Sequence, residues 1–168
     1  MSKPDIASLF LSMPERFQAN GFAEYVRSLL ASGDTQKAST FFHTLYGVEG
    51  YDLSKAAVGQ FLIAGCVDNG QCDAALEVYE LLEKLSSEDG ILIIRAKSLL
   101  KLVKCLLPVR LEMAITLWER IEEKNPPLES LWAMSKIGIE ILKVAINNND
   151  MTAGKRVYKY LYPDNEEF

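Results

Sequence analysis

The stretch Gly70-Gln-Cys-Asp-Ala-Ala-Leu-Glu-Val-Tyr-Glu-Leu-Leu82 decides the reading of the chain. Ala75, Val78, Tyr79 and Leu82 stand at i, i+3, i+4 and i+7, which puts them on one face of a helix. The same order of sizes recurs at Ala38, Phe41, Phe42 and Leu45, at Ala114, Leu117, Trp118 and Ile121, and at Gly154, Val157, Tyr158 and Leu161. From Ala38 to Ala75, Ala114 and Gly154 the steps are 37, 39 and 40 residues. Four returns at a nearly fixed period predict stacked units rather than one irregular core. A methyl or hydrogen at the first position admits a neighbouring helix, and the ring one turn later fills the space beside it. Enlarging Ala75 or Ala114 is expected to overpack at roughly 1–3 kcal/mol. Removing the ring of Tyr79 or Trp118 is expected to cost about 3–5 kcal/mol.

Composition narrows the class. At 168 residues with 49% hydrophobic content the chain can bury a continuous core. A net charge of −5 weighs against neutralising a nucleic-acid backbone or an acidic membrane surface. Cys66, Cys72 and Cys105 form no Cys-x-x-Cys pair and fall within helical patterns, so they read as reduced, packed thiols and favour a reducing, cytoplasmic setting. The start shows no long apolar segment before Pro14. Residues 91–107 are the most apolar region but carry Arg95, Lys97, Lys101 and Lys104, which argues against a membrane span.

In order along the chain, residues 1–20 read as a helical lead-in of two short pieces, 5–13 and 14–20, with a capping-box spacing from Ser12 to Glu15 and Gly21 closing it. Ile6, Leu9, Phe10 and Met13 are expected to cover the end of the first hairpin. A single helical domain spans 21–163, with breaks at Gly33-Asp34, Val48–Tyr51, Asp68-Asn-Gly70, Ser86–Gly90, Pro108, Asn125-Pro-Pro127 and Asn147–Asp150. Gly59 and Gly65 are expected to admit a neighbouring backbone, and 164–168 is a short acidic tail. No segment alternates with period two for long enough to need a strand, so the fold class is all-α.

A small residue followed one turn later by a ring, after a polar turn, resembles the second helix of tetratricopeptide-type repeats. The pairs are Ala38 with Phe42, Ala75 with Tyr79, Ala114 with Trp118 and Gly154 with Tyr158, within residues 21–163. The units are longer than the family's 34 residues, and only Pro126 matches its terminal proline. The resemblance implies a right-handed α-solenoid, an α-α superhelix of about four antiparallel helix hairpins, with first helices lining a concave groove that holds a partner's peptide. Residues 61–79 also look like a pentatricopeptide unit, a family that reads single-stranded RNA, although the acidic balance weighs against that activity.

For catalysis or metal binding, His, Cys and carboxylates would have to converge. The one histidine, His43, falls where the other units carry Glu80, Glu119 and Lys159, a solvent-facing position. No phosphate-cradling glycine pattern occurs. The expectation is a non-enzymatic protein without cofactor or metal. Lys97, Lys101 and Lys104 stand at i, i+4 and i+7, with Lys136 and Lys143 related to them on the next first helix. They read as a basic strip able to receive an acidic peptide or a C-terminal carboxylate, or as a solvated face. The functional expectation is a protein–protein interaction scaffold or adaptor, monomeric or homodimeric. The alternative is a small acidic chaperone of the type III secretion kind, holding an unfolded client.

Overall fold

The computed structural model describes residues 6–121 and 126–162, and within them the chain is helical with no strand. The helices are α1 (Ile6–Leu11), α2 (Glu15–Ala31), α3 (Thr35–Tyr46), α4 (Asp52–Asp68), α5 (Cys72–Glu83), α6 (Asp89–Leu106), α7 (Leu111–Glu119), α8 (Leu128–Asn147) and α9 (Met151–Leu161).

Three of the reversals use one device. Gly33, Gly70 and Asn149 adopt positive φ of 84°, 72° and 55° at the ends of α2, α4 and α8. The next residue's N–H then donates to the carbonyl five positions back: Asp34 to Leu29 at 2.9 Å, Gln71 to Cys66 at 2.8 Å and Asp150 to Ala145 at 2.8 Å. This closes the orphan carbonyls of a helix end and turns the chain back on itself. At the third reversal Pro108 ends α6, and Arg110 N–H donates to the Leu106 carbonyl at 2.8 Å.

The helices form two layers. In one, α2, α4, α6 and α8 pack side by side in chain order. In the other, α3 sits against α2 and α4, α5 against α4 and α6, and α7 against α6 and α8, while α9 packs on α8. The apolar stripes of α3, α5 and α7 are therefore pressed into grooves between two long helices. Ala38, Phe42, Ala75, Tyr79, Ala114 and Trp118 are all buried, as the small-then-ring pattern requires. The fourth pair departs from the pattern. Gly154 is buried, but Tyr158 is half-buried and packs on the Tyr162 ring at 4.9 Å, because no further long helix among the described residues lies beyond α9.

Other expectations are corrected. Gly21 does not close a lead-in, since α2 runs through it from Glu15. A Cβ there would stand 3.0 Å from the Phe10 ring, so this glycine makes room for α1 and the boundary expected between 1–20 and 21–163 falls inside a helix. The Ser12–Glu15 capping box does not form; the Ser12 hydroxyl donates to the Leu9 carbonyl at 2.6 Å, and Pro14 precedes α2. Gly59 and Gly65 admit side chains rather than backbone, with Leu82 and Leu30 respectively in the vacated space. Cys72 and Cys105 are not two reduced thiols: they form a disulfide joining the start of α5 to the end of α6, at a Cα–Cα distance of 5.8 Å. Cys66 remains a buried thiol, and burial raises its pKa. The acidic tail expected at 164–168 lies outside the described residues.

Candidate functional site

Side-by-side packing of the long helices leaves one continuous face, on which α6 and α8 carry most of the residues singled out by the sequence. Lys97, Lys101 and Lys104 project from one side of α6, as their spacing dictates. Each of the first two meets a carboxylate from a neighbouring helix. Lys97 reaches Glu129 of α8 at 2.8 Å, and Lys101 reaches Asp68 at the end of α4 at 2.8 Å. Lys104 is exposed. On α8, Lys143 pairs with Glu140 at 3.3 Å, and the Lys136 ammonium lies 4.0 Å from the centroid of the exposed Trp132 ring. Leu128, Glu129, Trp132 and Lys97 together line a shallow pocket of about 300 Å³.

The strip is thus a row of exposed ion pairs bridging helices α4, α6 and α8, with an aromatic edge. Pairs this exposed are worth about 0–1 kcal/mol each, so an incoming carboxylate could exchange with Asp68 or Glu129 at little cost. Sequence reading missed these partners because no acidic residue stands between Ile91 and Leu111 on the lysines' own helix. They become neighbours only through helix packing.

The opposite layer is tied by a second set of pairs. Arg110 reaches Asp73 at 2.7 Å, Arg120 reaches Glu83 at 3.4 Å, and Arg156 grips Glu119 through two hydrogen bonds at 2.6 and 2.7 Å while also reaching Glu112. The first three pairs each join residues 37 apart. That recurrence of opposite charge at the packing period is a sequence signal that a search for apolar faces passes over. Arg95 does a different task. From α6 it donates to the carbonyls of Leu82 (2.7 Å), Leu85 and Ser86 (3.1 Å), closing the C-terminal end of α5 with a cation.

His43 is exposed, as its position in the pattern predicts, and lines a groove of about 680 Å³ between α3 and α5 with Gln36, Cys72 and Asp73 among others. Among the described residues, no group of three or more His, Cys, Asp or Glu side chains is placed to hold a metal ion. No described helix is long and apolar enough to cross a membrane. Comparison with protein-family models, curated proteins and solved structures returns no match to this chain.

Proposed function

We propose that the chain is a non-enzymatic interaction module: about four helix hairpins stacked as a right-handed, tetratricopeptide-like array, whose inner face takes an extended, acidic segment of another protein. The observation that carries the reading is the placement of Lys97, Lys101 and Lys104 on the shared face of the long helices, beside the Leu128–Trp132 pocket. A preformed row of cations flanked by an aromatic edge suits a peptide with carboxylates and one apolar side chain. Their present partners, Asp68 and Glu129, are themselves exposed carboxylates and serve as stand-ins for those of a ligand.

The test is affinity purification of the full chain from its native source, followed by titration with the protein recovered. Charge reversal in the pair Lys101→Glu and Lys104→Glu is expected to weaken that binding and to flatten its salt dependence. Binding and salt dependence both unchanged would remove the inner face from consideration.

A further inference from the structure

Among the described residues, α8 carries more exposed large apolar side chains than any other helix: Leu128, Leu131, Trp132, Ile139 and Ile146. Leu128, Trp132, Ser135, Ile139, Leu142 and Ile146 fall at steps of 4, 3, 4, 3 and 4 residues, the spacing at which a helix offers a seam to another helix. Leu128 is 82% exposed, Trp132 54%, Ile139 44% and Ile146 63%. Advancing α6 by 39 residues brings its pattern into register with α8: Lys97 falls on Lys136 and Lys104 on Lys143. In the same register, the buried Leu92, Ala96 and Val103 fall on the exposed Leu131 and Ser135 and the half-buried Leu142. At these three positions α8 leaves exposed or half-exposed what α6 buries.

The seam has a projecting half and a receiving half. Leu128 and Trp132 project at the start of α8. Near its end, Leu142, Ala145, Ile146, Met151, Gly154 and Tyr158 line a groove of about 370 Å³ between α8 and α9. Projection and groove are separated by 14 residues, about 21 Å along the axis. We infer that a second copy of this chain covers the seam, with the two α8 helices antiparallel about a two-fold axis at the level of Ile137. In that register Leu128 of each copy meets Ile146 of the other, and Trp132 meets Leu142 at the rim of the groove. A two-fold contact makes each fit twice. A parallel pair would set projection against projection and leave both grooves empty.

Two of the charges beside the seam agree with this register. Glu129, Lys136 and Lys143 each follow a seam residue by one position. Antiparallel packing brings Glu129 of each copy, which pairs with Lys97 in its own chain, beside Lys143 of the other, which pairs with Glu140 in its own; both pairs are exposed enough to be shared or exchanged. The two Lys136 ammoniums come nearest the axis, each lying over the Trp132 ring of its own chain. The inference does not rest on the α6 lysines, but it shares Leu128 and Trp132 with the peptide reading, so a second copy and a peptide would compete for that pocket.

Sedimentation equilibrium of the full chain tests it. The expected result is a monomer of 18.8 kDa passing reversibly to a species of twice that mass as concentration rises. Trp132→Ala and Ile139→Glu should each raise the dissociation constant by at least about tenfold and leave the helical circular dichroism intact, whereas Lys101→Glu should leave dimerisation unchanged. The double variant Leu128→Cys with Ile146→Cys should cross-link between chains under mild oxidation, and Leu128→Cys alone should not. A single 18.8 kDa species up to millimolar concentration overturns the dimer. So does a dimer indifferent to both seam substitutions. Efficient cross-linking by Leu128→Cys alone, or none by the double variant, overturns the antiparallel register.

Discussion

The third and fourth hairpins carry the same pairing of a small residue and a ring, yet the two rings finish in different surroundings. Trp118 on α7 is fully buried between α6 and α8; its indole N–H donates to the Met134 carbonyl at 2.9 Å. Gly138 of α8 has no side chain where that ring lies: a Cβ there would stand 2.7 Å from the indole. Tyr158 on α9 has α8 on one side and the open groove on the other. A Cβ added to Gly154 would meet nothing within 4 Å, whereas Ala114, its counterpart, is fully buried. The pattern within a helix thus states what could be buried, and the next long helix decides whether it is.

The sharpest way to break this comparison is to delete each ring. Trp118→Ala should cost about 3–5 kcal/mol, because removing a fully enclosed indole leaves a cavity and loses the hydrogen bond to the Met134 carbonyl. Tyr158→Ala should cost no more than about 1–2 kcal/mol. Equilibrium urea unfolding of the two variants measures both, and equal losses would mean that α9 is as enclosed as α7. Next in size is the Cys72–Cys105 disulfide, which ties α6 of the third hairpin back to α5. It closes a loop of 33 residues, so reduction should lower stability by about 3–4 kcal/mol in the chain-entropy account. The denaturant midpoint with and without reductant gives the answer; no shift would mean that the bond constrains nothing in the unfolded chain. Smaller changes at the paired small residues should differ in sign. Ala114→Leu should destabilise by about 1–3 kcal/mol through overpacking. Gly154→Ala, which enters open space in a helix, should stabilise by about 0.5–1 kcal/mol. Measured on the monomer at low concentration, where no second copy occupies the groove, a destabilising Gly154→Ala would show that the space beside it is closed within the chain itself.

Much of this was legible because helical periodicity is local. The spacing from Ala75 to Leu82 fixes which side is apolar without knowledge of any neighbour, and the reversals at Gly33, Gly70 and Asn149 lie where the polar turn residues stand. What stayed hidden depends on pairs distant in sequence. Gly21 has the appearance of a stop until the Phe10 ring is seen packed against it. Lys97 and Lys101 read as uncompensated because Glu129 and Asp68 belong to other helices. Cys72 and Cys105, 33 residues apart, meet only once α5 lies along α6. The exposed seam on α8 was expressed in its residues, but the helix also carries Ile137 and Ile141 on its buried side. Composition alone could not say which stripe found a partner.

The smallest effects concern the two ties that flank α7 in the layer of short helices. Arg156 links α9 to α7 through Glu119 and Glu112, whose hydrogen bonds hold the guanidinium charged. Glu112 is well exposed, and Arg156 and Glu119 keep 38% and 32% of their side-chain surface in solvent, so Arg156→Gln should cost no more than about 1 kcal/mol despite the good geometry. Glu83, which links α5 to α7 through Arg120, is better shielded. Burial raises its pKa above the ordinary 4.5 and Glu80 adds to the rise, against the opposing pull of Arg120 and Arg95. A raised carboxyl pKa means that the folded state binds the proton more tightly than the unfolded chain does. The contribution to folding is therefore fully present below pH 4.5 and is lost as pH climbs through the raised value. Glu83→Gln cannot ionise and escapes that loss. Its stability relative to the natural chain should thus rise between pH 4.5 and neutrality, measured by paired urea titrations across that window. A difference that stayed flat, or fell, would mean that the Arg120 ion pair outweighs desolvation on this side of α7 as well, and the two flanking ties would then be alike.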